Sequence, residues 1–420
     1  MHNKAFAAER RKKRRPLKSS VMPKKRNSMD NIRSGRFEFP AQYYKFHKDQ
    51  VFNFQLNRWY SLGYARLEDM QEAGQKIASF DDWKTEMIGL GEKAVAEERF
   101  VNAAFYFRAA EFYILTDNAE KNALYDKFKD CFDKAFGKDG IERSDVPYGD
   151  SFLPAMRVPA KSHPKKGTIV LHGGFDSFIE EFYSMMVVFS EHGYDVVGFE
   201  GPGQGAARRR YGIAFDYEWE KPAKAILDYF DLDAVTWLGI SMGGYLCFRA
   251  AAFEPRIARV IASSVAFDYA KFHNVVTEKV GKFFFTRLRK VSNYKMKKMI
   301  ERGGMPAWMI GNLMYIANAK EPIEATDLML NLNANNLHSD LVKQDVLILT
   351  GKDDHFVPFK MHDMQVQALT SAKSVTARVF TKEDQAHNHC QIGNIGLALD
   401  VMLNWIEVVS STQMKDGITM

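Results

Sequence analysis

The chain has 420 residues, 46% hydrophobic and 26% charged, enough apolar material for large cores and about two or three structural units. No apolar run reaches the ~18 residues of a membrane span, no apolar signal segment opens the chain, and Cys131, Cys247 and Cys390 lack disulfide or zinc spacing. The net charge of +6 hides a division: residues 1–36 hold thirteen Lys/Arg against Glu9 and Asp30, a net +11, which leaves the remainder at −5.

Residues 1–36 therefore read as a basic, disordered tail, dispensable for activity. The run Arg10-Arg11-Lys12-Lys13-Arg14-Arg15 has the charge of a polyanion patch, but it has neither the interleaved aromatics of a single-strand binder nor the periodicity of a docking helix. Residues 37–150 read as one helical domain, with helical periodicity from about Phe37 to Gly140 and helices predicted near 49–62, 65–78, 81–97, 100–115 and 119–136. Ser79 or Asp81 caps the third, and early acids suit its positive end. The fourth mixes aromatics with small residues, the pattern of close helix packing. No second copy recurs near 34 residues, so a tetratricopeptide array is set aside.

Beyond Pro147 short apolar runs are bounded by Gly, Pro and Asp. Strands are predicted at 152–158, 168–171, 195–199, 235–238, 260–263, 346–349 and 376–380, with helical stretches between most of them. Such strands form a mostly parallel sheet covered on both faces, an α/β class whose ligands bind at the carboxyl ends of the strands. Residues 151–268 and 345–420 make up this core. Between them, 269–344 carry aromatic-rich helical segments and no convincing strand, and are predicted to form a helical lid; a packing extension at the sheet edge is the alternative.

The polar motifs fall where strands end. Gly239-Ile240-Ser241-Met242-Gly243 joins an apolar run to a helical stretch, the setting of a nucleophile elbow, and makes Ser241 the candidate nucleophile; a plain Gly/Ser turn is the alternative. A serine needs an imidazole base and a carboxylate to orient it, in the order serine, acid, histidine. After the 346–349 strand, Asp354 is preferred over Asp353, with Asp268 a further candidate. After the last strand His387 and His389 are available. Backbone N–H groups for a tetrahedral oxyanion are expected from Met242 and from Phe175, in His172-Gly173-Gly174-Phe175-Asp176-Ser177. Asp176 or Ser177 with Glu180 also reads as a helix cap. Glu200-Gly201-Pro202-Gly203-Gln204-Gly205 lacks the spacing and lysine of a phosphate loop and reads as a tight rim turn, with Glu200 a candidate substrate contact.

Together these motifs, with His389-Cys390, resemble the α/β-hydrolase superfamily over about residues 40–410. The resemblance is to the branch containing 2,6-dihydroxypseudooxynicotine hydrolase and the FrsA-like esterases. In that branch a His-Cys pair marks the catalytic histidine, which favours His389. The expectation is a cytoplasmic serine hydrolase with Ser241, His389 and Asp354 as triad and no cofactor or metal. An apolar or aromatic ester-type small molecule is the expected substrate. Carbon–carbon hydrolysis of an activated ketone, acyl transfer, and a non-catalytic ligand-binding protein are the alternatives. Neither a nucleic-acid nor a membrane partner is expected, and homodimerisation is left open.

Overall fold

The computed structural model describes residues 36–115, 118–272 and 275–417, so all of the basic segment except Arg36 lies outside the described residues. Five helices come first: α1 (Gln50–Ser61), α2 (Leu67–Lys76), α3 (Phe80–Ala96), α4 (Phe100–Phe112) and α5 (Ala119–Phe136). Side chains of Asp49, Ser79 and Asn118 accept first-turn N–H groups of α1, α3 and α5, satisfying donors a helix start leaves open. Ser79, rather than Asp81, is the cap of α3. Residues 103–112 of α4 are all buried. The close packing has a cause in Gly91 of α3, where a Cβ would lie 2.6 Å from the Phe107 ring.

Eight strands follow: β1 (Glu142–Tyr148), β2 (Ser151–Val158), β3 (Gly167–His172), β4 (Tyr194–Phe199), β5 (Val235–Ile240), β6 (Ile257–Ser263), β7 (Asp345–Gly351) and β8 (Ser374–Phe380). They form one sheet in the order β1-β2-β4-β3-β5-β6-β7-β8, antiparallel at β1-β2 and β2-β4 and parallel elsewhere. β1 was not foreseen. It falls inside the 37–150 domain, past the helical periodicity that reaches about Gly140; the last helix of that domain ends at Phe136, and 142–158 form a hairpin of the sheet. Only Val146 of β1 is buried, and Pro147 is tolerated because the strand lies at the sheet edge.

Helices α6 (Tyr183–Glu191), α7 (Gly205–Arg209), α8 (Glu220–Tyr229) and α9 (Gly243–Phe253) connect the strands, with α15 (Lys360–Ala368) and α16 (Ile395–Gly417) after β7 and β8. The 269–344 insertion holds α10 (Val275–Arg287), α11 (Arg289–Arg302), α12 (Gly304–Ala317), α13 (Pro322–Asn331) and α14 (Ala334–Leu337), with no strand among its described residues. Alternate strand residues feed two cores. Ile169, Leu171, Leu238 and Leu347 join a cluster continuous with α1–α5, while Val170, Trp237, Val260 and Val346 face α8 and α9. The order reverses at β3, which pairs with β4 on one side and β5 on the other, and ligands of open α/β sheets bind at such a point. No helix among the described residues is long and apolar enough to cross a membrane.

Candidate active site

Ser241 occupies the turn between β5 and α9 with φ of +62°, a conformation that costs a non-glycine residue energy and persists only when its surroundings impose it. Two glycines impose it. A Cβ on Gly239 would lie 2.0 Å from the Gly243 carbonyl oxygen, and one on Gly244 would lie 1.8 Å from that of Ser264. The Ser241 amide donates to the Ser263 carbonyl at 2.7 Å, which ties the turn to β6.

His389 begins a short turn after β8, and its Nε2 is 2.8 Å from Ser241 Oγ. Its Nδ1 is 2.7 Å from Oδ2 of Asp354, in the loop after β7. Asp354 is saturated with donors: Oδ2 also accepts from the Ser264 hydroxyl at 2.9 Å, and Oδ1 accepts from the amides of Phe356 and Val357, each at 2.9 Å. The acid and histidine loops are pressed together at Gly351, where a Cβ would come within 2.4 Å of the carbonyl oxygens of His387 and Asn388. The Asp353 amide donates to the His387 carbonyl at 2.9 Å. Burial disfavours both charged forms of the pair, but mutual attraction outweighs it. The His389 pKa is raised well above its ordinary 6.5 by Asp354 and Cys390, and Asp354 is held below its ordinary value by His389 and the two amides.

The loop after β3 abuts the nucleophile turn, since a Cβ on Gly174 would lie 2.5 Å from the Met242 nitrogen. Among the described residues, neither the Phe175 nor the Met242 amide donates to a backbone carbonyl. Gln204 braces this loop from behind, its Nε2 donating to the carbonyls of Gly173 and Gly174 at 2.9 and 3.0 Å. Buried His172 has its pKa lowered to about 4 by desolvation. Its Nε2 accepts from the Trp219 indole at 3.2 Å, so Nδ1 carries the proton, facing the Gly173 carbonyl.

Ser241 and His389 open onto a cavity of about 250 Å³. Its walls come from α1 (Phe54, Arg58), from the insertion (Met305, Trp308, Met329) and from α16 (Ala398, Met402), and are mostly apolar. The insertion thus contributes directly to the cavity wall.

Other candidates go elsewhere. Glu200 does not line the cavity: its Oε1 accepts from the Ile179 amide at 3.1 Å and its Oε2 from the Ala206 amide at 2.6 Å, a structural role that replaces the expected substrate contact. Asp353 is exposed beside Lys382. Asp268 accepts from the amides of Ala270 and Ala334, and His387 lies edge-on to Tyr43. The predicted cap after β3 does not form. Ser177 accepts from the Gly174 amide at 3.1 Å, and Glu180 pairs with Lys129 and Arg143. Ser264, Gln204 and Arg58 were not singled out in the sequence; the only signal was that Ser264 directly follows a strand and Gln204 sits in the Gly-Pro-Gly-Gln-Gly turn. No cluster of three or more metal-ligating side chains occurs among the described residues.

The sheet order and the strand-turn-helix at its centre are those of an α/β-hydrolase fold, and residues 168–303 match a family described as alpha/beta hydrolase fold. Its curated relatives are named hydrolases, and the protein is a hydrolase enzyme. It is 27% identical to Hydrolase acrC of Aspergillus aculeatus over 73% of this chain and 76% of the relative. Identity to Hydrolase LUC6 of a Fusarium species is 25%, over 83% and 87%. Among solved structures, 2,6-dihydroxy-pseudo-oxynicotine hydrolase superposes with a TM-score of 0.59 at 21% identity, covering 83% of this chain and 94% of that one. The likeness is one of fold.

Proposed function

We propose that the protein is a serine hydrolase acting on a carbonyl of an apolar or aromatic small molecule, of ester type. The continuous line from Ser241 Oγ to His389 Nε2 and from His389 Nδ1 to Asp354 Oδ2 carries this reading. His389, neutral with its proton on Nδ1, takes the Ser241 proton as Oγ attacks the carbonyl carbon. Asp354 fixes that tautomer and stabilises the imidazolium that forms. The carbonyl oxygen becomes an oxyanion held by the amides of Phe175 and Met242. Collapse releases the leaving group with the His389 proton and leaves an acyl-Ser241. Water, deprotonated by His389, then frees the acid and the serine. The apolar cavity walls suit an apolar body, and the insertion acts as a lid that keeps bulk water from the acyl intermediate.

The test is turnover of short p-nitrophenyl esters by wild type and Ser241→Ala, with fluorophosphonate labelling of both. The expected result is loss of turnover and of labelling in the variant only. Equal rates in both proteins would remove Ser241 from the mechanism, and product analysis with aryl ketones separates ester from carbon–carbon cleavage.

A further inference from the structure

Arg58 is a charged wall of a mostly apolar cavity. It lies in the last turn of α1, and its side chain retains 16% of its exposure. The guanidinium lies over the rings of Trp59 and Phe112, at 4.7 and 5.4 Å from their centroids, and Phe112 itself lines the cavity. Stacking of this kind fixes the plane of the guanidinium and leaves its edge as the hydrogen-bonding face. One edge is used by Glu181. Among the described residues, Nη1 has one hydrogen-bond contact, a long one of 3.4 Å to the Gln55 side chain, which also lines the cavity.

Behind Arg58 the charges do not balance. Glu181, fully buried, is shared between Arg58 and Arg108, the latter at 2.6 Å. Glu111, also fully buried, is shared among Arg108, Arg209 and Lys121. Asp176 completes the cluster, its carbonyl accepting from Arg108 at 2.7 Å, and burial raises the pKa of its carboxyl group. Among the described residues, four cations thus face three carboxylates, and the third is the one whose ionisation burial disfavours. Uncompensated positive charge in a poorly solvated region is costly unless an anion supplies the balance. Arg58 is the member of the cluster that lines the cavity, so the balancing anion has its place there.

We propose that Arg58 determines substrate specificity: the substrate carries an anionic oxygen, in the simplest case a carboxylate, which docks on the Arg58 guanidinium. This rests on reading the cavity as the substrate pocket, and it narrows the substrate class to apolar molecules with one anionic oxygen group. The Phe, Met and Trp walls take the apolar body while the reacting carbonyl meets Ser241. An ion pair in so apolar a pocket is screened far less by water than one at the surface, so the neutral isostere should lose much of its affinity.

The experiment compares equilibrium binding of 5-phenylpentanoate and 5-phenylpentan-1-ol to the full chain by calorimetry, with displacement of one ligand by the other to show a common site. Wild type should bind the carboxylate at least about tenfold more tightly, the gain expected of one charge-assisted hydrogen bond. Arg58→Gln should bring the ratio near one, and Arg58→Lys should restore part of it. Ser241→Ala should keep the wild-type ratio. Absence of a carboxylate preference in wild type would overturn the proposal without recourse to any variant, and so would an Arg58→Gln protein that kept the preference. If Arg58→Gln does not fold, the wild-type ratio and Arg58→Lys still decide. Failure of Ser241 to label with a fluorophosphonate would instead sink the catalytic reading and leave this binding ratio as it stands.

Discussion

The hydroxyl of Ser264 donates to Oδ2 of Asp354 at 2.9 Å, the same carboxylate oxygen that faces His389 Nδ1. A residue just past β6, far along the chain from both loops, therefore fixes the acid from which the imidazole takes its orientation.

Ser264→Ala should reduce kcat by about tenfold, the worth of one hydrogen bond to a charged group, with little change in KM. Steady-state kinetics on a p-nitrophenyl ester decide it. A change confined to KM would mean that Ser264 shapes the pocket and not the acid.

The pH profile follows from the His389–Asp354 pair. His389 must be neutral to accept the Ser241 proton, and its pKa lies above 6.5 because the Asp354 carboxylate outweighs burial. Turnover should rise with pH and reach half its plateau above pH 6.5. Asp354→Asn removes the attraction, so the acidic limb should move to lower pH while the plateau falls by about a thousandfold or more. The stability sign runs the other way. A histidine whose folded pKa is raised stabilises fully below its unfolded value near 6.5, and that contribution is lost as pH climbs through the folded value. A rate profile whose acidic limb is unmoved in Asp354→Asn would dissociate Asp354 from His389.

The helices α1–α5 were legible because apolar residues recur at the helical period and polar caps mark their starts. Strands β3–β7 were legible because they carry near-continuous apolar runs, and β2 and β8 because apolar residues recur along them. β1 was not, since an edge strand that buries only Val146 leaves alternating charges and no apolar run. The Ser241 turn stood out because its glycines and flanking elements are local in the chain. Glu200 was misread for a physical reason: a carboxylate at a strand end looks the same in sequence whether it faces a cavity or two backbone amides. Arg58, Gln204 and Ser264 gave little signal because their partners Glu181, Gly174 and Asp354 lie far away along the chain.

The buried ion cluster is a stability element as well. Arg108 pairs with Glu181 and Glu111, all three fully buried, so Arg108→Met leaves two carboxylates short of a partner. Removing one member of a buried pair typically costs about 3–5 kcal/mol, and urea denaturation should show a loss of that size. Arg108→Met combined with Glu181→Leu should recover part of it. A loss below about 1 kcal/mol in the single variant would mean that water reaches the cluster.

Glu200 predicts a second pH effect, on stability alone. Burial and then the nearby Glu180 charge push its pKa up to about 7 from the usual 4.5. A carboxyl group with a raised folded pKa binds its proton more tightly in the native state. Its contribution is thus complete below 4.5 and is lost as pH rises through about 7. Glu200→Gln should flatten the stability profile across that window. It should also lower stability at low pH, because an amide offers one acceptor where the Ile179 and Ala206 amides need two. An unchanged slope of midpoint against pH would show that Glu200 keeps the same charge throughout.

Gln204 tests whether the loop after β3 is held in place for catalysis or merely for folding. Its Nε2 donates to the carbonyls of both Gly173 and Gly174, and its Oε1 accepts from the Gly201 amide at 3.0 Å, so one buried amide closes its own turn and pins the neighbouring loop. The Gly174 carbonyl belongs to the same peptide plane as the Phe175 N–H, and in a trans peptide the two point in opposite directions. Holding the carbonyl toward Gln204 therefore aims the Phe175 N–H the other way. Gln204→Met keeps the volume and removes all three hydrogen bonds. If that N–H holds the oxyanion, kcat should fall about 10- to 100-fold with KM nearly constant, because the contact is made in the transition state and not in the bound substrate. Fluorophosphonate labelling of Ser241 should slow in parallel, since phosphonylation needs the same oxyanion donors. A Gln204→Met protein with reduced thermal stability but wild-type kcat and labelling rate would confine Gln204 to a folding role and remove the Phe175 amide from the oxyanion site.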